Sequence, residues 1–130
     1  MDKIKIKSNW PNALRWFLVQ NLESFTPWHF LENEGDFEFA ANAFQRESLS
    51  DSRIFVFASR QDNDHFAGLE IVDGIITDKV ILFHPSFSAH SNEKHWDIVH
   101  QVFGDVFDFV SEQVIPDMKI WALTEDASEI

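Results

Sequence analysis

The dipeptide Asp73-Gly74, set between two apolar runs, limits what this chain can fold into more than any other feature. An Asp-Gly pair tolerates the positive backbone dihedrals of a tight reversal, so the runs on either side are predicted to pair as a β-hairpin. The run before it, 65–72, alternates, with Glu70 between apolar neighbours, and the run after it, 80–83, is apolar throughout. A third run, 54–58, lies upstream across the polar loop 59–64. Short stretches rich in Ile, Val and Phe and bounded by turn residues read as strands. The segment is therefore predicted to be a three-stranded antiparallel meander.

Helical spacing appears on both sides of it. Asn9-Trp10-Pro11 looks like a helix entry, and Leu14, Phe17, Leu18 and Leu22 recur at the period of a helix over 12–22. Trp28 to Leu31 reads as extended. A second helix follows, capped by Asn33 or Asp36, with Phe37, Ala40, Ala41 and Phe44 as its buried stripe and 45–53 as a polar connection. After the Ser-, His- and Asn-rich loop 85–94, the longest helix is predicted over 96–114. Its core arc is Trp96, Val99, Phe103, Val106, Phe107, Val110 and Val114, and Pro116 is its expected terminator. A last short strand is expected over 118–123. The predicted class is α+β, with helices packed on an antiparallel sheet whose core is the meander.

At 130 residues the chain fits a single domain over 1–130, with 1–8 as a Lys-bearing arm and 124–130 as an acidic tail. It has no cysteine, which removes disulfides, thiol nucleophiles and thiolate metal sites. The first residues lack an apolar signal core and no stretch is apolar enough to span a bilayer, so a cytoplasmic location is expected. The net charge of −12 repels phosphate backbones, which argues against nucleic acid; a basic protein partner is its natural complement, and plain solubility explains such a charge equally well.

Two acidic groups are the candidate partner-binding residues. One is the turn Asp62, Asn63 and Asp64; the other is the stripe Asp97, Asp105, Asp108 and Glu112 along the last predicted helix. A turn whose carboxylates bond their own backbone and a solvated helix face are the plainer meanings of the same residues. The turn lacks the ligand spacing and the glycine of an EF-hand. His84, His90, His95 and His100 raise the question of zinc, but His95 and His100 are five apart, so on a helix they point away from each other. No metal and no cofactor is expected. Glu70 and His84 lie on strands predicted to pair, with Ser59 or Ser86 nearby in sequence, yet no nucleophile elbow or phosphate-cradling loop accompanies them. A small hydrolase is thus an alternative, and an enzyme is not the expectation.

Several words of the sequence resemble the SUKH superfamily. They are Thr26-Pro27-Trp28-His29-Phe30-Leu31, then 57–64 (FASRQDND) leading into the strand 66–71, the following strand 80–84, and the late segment containing Trp96, Phe103 and Phe107. The resemblance spans about residues 25 to 115, and Gln61-Asp62-Asn63-Asp64 stands where many members carry a glycine run. It implies a non-enzymatic binding domain. Bacterial members of that family look like immunity proteins that neutralise toxin domains, and eukaryotic members resemble interaction hubs. The resemblance therefore implies an immunity protein that binds a toxin, with a scaffold or regulatory module as the alternative.

Overall fold

The computed structural model describes residues 6–32, 34–48, 53–85 and 98–129. It is an α+β fold built on a six-stranded antiparallel sheet in the order β1-β2-β3-β4-β5-β6. The strands are β1 (Ser24–Phe25), β2 (Trp28–Phe30), β3 (Arg53–Arg60), β4 (Phe66–Val72), β5 (Ile75–Phe83) and β6 (Val99–Phe103). Every neighbour in the sheet is also a neighbour in sequence order. The predicted meander is its centre, and the Asp73-Gly74 turn is as expected, with φ of 51° and 78° at its two residues.

Helices cover both faces. On one side α2 (Glu34–Glu47) packs Phe37, Ala40 and Phe44 on Ile54, Val56, Phe66, Ile81 and Phe83. On the other, α1 (Asn12–Val19) brings Leu14, Phe17 and Leu18 to Phe30, Phe57, Leu69, Val80 and Leu82. Successive strand residues point to opposite faces, so where helices cover both sides of the sheet a strand needs apolar side chains at consecutive positions. That is why Val80 to Phe83 shows no polar alternation. Gly68 in β4 is required by a close approach: a Cβ there would lie 3.0 Å from the Phe55 carbonyl oxygen and nearer still to the Ile54 side chain.

The first helix is shorter than its predicted span. Asn21 adopts φ 60°, the Leu22 amide donates to the Phe17 carbonyl (2.9 Å) and the Asn21 amide to the Leu18 carbonyl (3.1 Å), a Schellman closure. The second runs through Glu47, longer than expected. Asn33, one of its two predicted caps, lies outside the described residues, as do residues 1–5 of the arm.

The largest correction concerns 96–114. Residues Val99–Phe103 are a strand, paired with β5 through Val80↔Phe103 and Leu82↔Gln101. The helix begins only after Gly104, where Asp105 caps it by accepting from the Asp108 amide at 2.8 Å. From there α3 (Val106–Phe109), a π-helical turn (Val110–Val114) and α4 (Ile115–Ala122) run on without a break. Pro116 does not terminate this helix; it sits in the first turn of α4. The strand expected over 118–123 is therefore helical. The wider π turn places Phe109 and Val114, five residues apart, both in the core, while Phe107 is 50% exposed instead of buried.

Among the described residues no helix is long and apolar enough to cross a membrane.

Candidate functional site

One end of the sheet brings together several polar side chains from different elements. The carboxyl ends of β3 and β5 and the amino ends of β2, β4 and β6 meet there, because Trp28 pairs with Arg60, Ser59 with Phe66, and Phe83 with both Phe66 and Val99. The predicted turn Asp62-Asn63-Asp64 closes β3 onto β4 at this end. Asn63 shapes it by accepting from the His65 amide through Oδ1 at 3.0 Å. The Arg60 amide donates to the His65 carbonyl at 3.0 Å, which ties the two strand ends together.

Arg60 organises the rest. Its Nε donates to Asp62 Oδ1 at 2.7 Å and its Nη1 to Asp117 Oδ2 at 3.1 Å. The same Asp117 oxygen accepts from Trp28 Nε1 at 2.9 Å and from Gln113 Nε2 at 2.8 Å. Asp117 lies in α4 and is buried, Trp28 is fully buried in β2, and the three donors converge on an acid that the apolar patterning does not flag. A buried carboxylate is tolerated when charged and neutral donors replace the water it loses. Asp117 therefore pins the last helix across the sheet to β2 and β3. On the outer side of the turn the His29 ring is hydrogen-bonded at Nε2 to Gln61 Oε1, and its Nδ1 lies 3.0 Å from the Ser24 hydroxyl and 3.3 Å from Glu32 Oε2.

The predicted partner-binding residues divide into four groups. Asp62 is spent partly on Arg60, and Asn63 on the turn itself. Asp64, Asp108 and Glu112 are exposed and form no ion pair among the described residues. Asp105, half-buried, is a helix cap, so its first role is structural. Asp97 lies outside the described residues. The turn belongs to the β3–β4 end of the sheet, whereas Asp105 follows the opposite end of β6 from His100.

Comparison with known proteins gives no relative. No family model matches the chain, and no curated protein or solved structure matches it.

Glu70 and His84 do not meet. Glu70 is near the end of β4 that leads into the Asp73-Gly74 turn and pairs with Lys79 at 3.8 Å, while His84 follows β5 at the opposite end. The ladder separates them by roughly 16 Å of strand at about 3.3 Å per residue. Ser59 faces Phe66 and His29 across the sheet, and Ser86 lies outside the described residues.

Instead His84 has two imidazole neighbours, His65 and His100. Burial holds the His65 imidazole below the usual histidine range, and the charges that His100, His84 and Arg60 would present lower it further, against the opposing pull of Asp62. The sequence argument about His95 and His100 used helical spacing, whereas His100 lies in β6, so it did not bear on His100. His90 and His95 lie outside the described residues.

Proposed function

We propose that this chain acts by binding another protein through its acidic helical face, with the exposed ring of Phe107 as an apolar anchor among carboxylates. The observation that carries the reading is the state of that face. Asp108 and Glu112, one helical turn apart, form no ion pair among the described residues, and Phe107 beside them is half exposed though it touches Phe17 at a ring separation of 5.0 Å. Interface hot spots are enriched in aromatic side chains that a partner desolvates, and uncompensated charge steers a partner of opposite sign. Trp16 on α1, also half exposed, adds a second ring to the same side of the sheet.

The net charge of −12 extends the attraction over the whole molecule. The partner class is therefore a basic protein. The SUKH resemblance narrows it to a toxin domain, such as a nuclease whose phosphate-binding surface an acidic face would occlude, and makes the chain an immunity protein. Capture with the tagged chain from cells that carry its gene neighbourhood tests this. A basic protein held at low salt, released as ionic strength rises, toxic when produced alone and harmless with this chain is the expected result. A tightly held partner that is acidic, or one indifferent to salt, would overturn it.

A further inference from the structure

Three imidazoles gather at the polar end of the sheet, and the pleat explains why. Phe66, Phe83 and Val99 all turn toward the α2 side, where they pack in one cluster. Their sequence neighbours His65, His84 and His100 consequently turn to the other face, each from a different but adjacent strand end. The Phe66↔Phe83 and Phe83↔Val99 pairs and the bond from the His84 amide to the Ile98 carbonyl (2.6 Å) hold the three strand ends in register.

The ring centroids lie 4.6 Å apart for His65 and His100, 5.5 Å for His65 and His84, and 5.9 Å for His84 and His100. Three imidazoles bound through one nitrogen each to a tetrahedral ion, at about 2.0–2.1 Å, have centroids about 5 Å from one another. All three separations fall within about 1 Å of that value. The rings are inclined at 75°, 48° and 44°, so none is stacked flat on another. Among the described residues no group of three or more His, Cys, Asp or Glu side chains is placed to hold a metal ion as the rings stand. The adjustment needed is a rotation of side chains, because His84 and His100 are exposed and their rings can turn while half-buried His65 stays as the anchor.

We propose that His65, His84 and His100 form a binding site for a divalent ion of the zinc class, with the fourth position open to solvent. An all-imidazole set suits Zn²⁺, Cu²⁺ and Ni²⁺ and is poor for Mg²⁺ or Ca²⁺, which take oxygen ligands. The site is independent of the acidic helical face.

Calorimetric titration of the metal-free full chain with Zn²⁺ tests it, alongside the visible spectrum with Co²⁺. One saturable equivalent per chain, a tetrahedral Co²⁺ spectrum and no comparable uptake of Mg²⁺ are expected. The variants His84→Gln and His100→Gln, both at exposed positions, should each weaken Zn²⁺ binding about tenfold or more, while His29→Gln leaves it unchanged; even outer partners of a ligand are worth about tenfold. Circular dichroism confirms that these variants keep the fold. Absence of a saturable equivalent, or zinc affinity that survives both substitutions, would overturn the proposal.

Discussion

Phe109→Ala is expected to lower the free energy of unfolding by about 3–5 kcal/mol, the usual cost of emptying a buried aromatic site. The ring is fully buried and is the hub of the larger core cluster, with centroid separations of 5.2 Å to Trp28, 5.8 Å to Phe57, 5.5 Å to Phe103 and 6.5 Å to Phe30. Three of these contacts are edge-on, an arrangement favoured by the ring quadrupoles beyond the area buried. They come from three strands, β2, β3 and β6, so the ring ties the β6 edge and the β2–β3 half of the sheet to the last helix. Denaturant unfolding followed by tryptophan fluorescence measures the effect as a lower midpoint at constant slope. The comparison is Phe107→Ala, at the exposed neighbour, which should cost less than half as much. Equal losses at 107 and 109 would mean that the helix is rotated from the orientation described.

Asp117→Ala should cost about 3 kcal/mol, the range seen when one partner is removed from a buried charged pair. The loss leaves Trp28 Nε1, Gln113 Nε2 and one edge of Arg60 without their acceptor. Arg60 retains Asp62, which keeps the cost from rising further. Asp117→Asn keeps an oxygen for Trp28 but not the charge for Arg60, so it should fall between wild type and alanine. The same unfolding experiment reads both, and a loss below 1 kcal/mol for the alanine variant would contradict the role given to this acid.

Local chemistry made the centre of the fold legible. The Asp73-Gly74 reversal depends only on two residues, and the apolar positions of the runs beside it carry the strand signal, although β5 extends back to Ile75 through the polar Thr77-Asp78-Lys79, ahead of the predicted run 80–83. The stripe Phe37, Ala40 and Phe44 was equally plain because α2 packs one clean face on the sheet. The last third misled for a physical reason. Val99, Phe103, Val106, Val110 and Val114 recur at spacings of three and four, which fits one helix as well as a strand followed by a helix. The signal that separates the two is Gly104-Asp105, a breaker followed by a capping residue. Pro116 looked like a stop because a π turn, which shifts the phase just before it, leaves no mark in the sequence.

At the candidate site, the turn Asp62-Asn63-Asp64 was visible as a polar word, but its link to Asp117 was not. Arg60 and Asp117 are 57 residues apart, and Trp28 and Asp117 are 89 apart. Such pairs follow from the order of strands and the path of the last helix, neither of which is written locally. The histidine cluster was hidden the same way, since His65, His84 and His100 converge only once three strands are in register.

The most direct test of the binding claim is the association rate with the captured basic partner, measured against ionic strength for the wild type and for the double variant Asp108→Lys with Glu112→Lys. Steered association slows steeply as salt screens the charges, and reversing two of them should cut the low-salt rate about tenfold or more while the rates converge at high salt. Identical rates for the two proteins at low salt would contradict the assignment of this helical face as the docking surface.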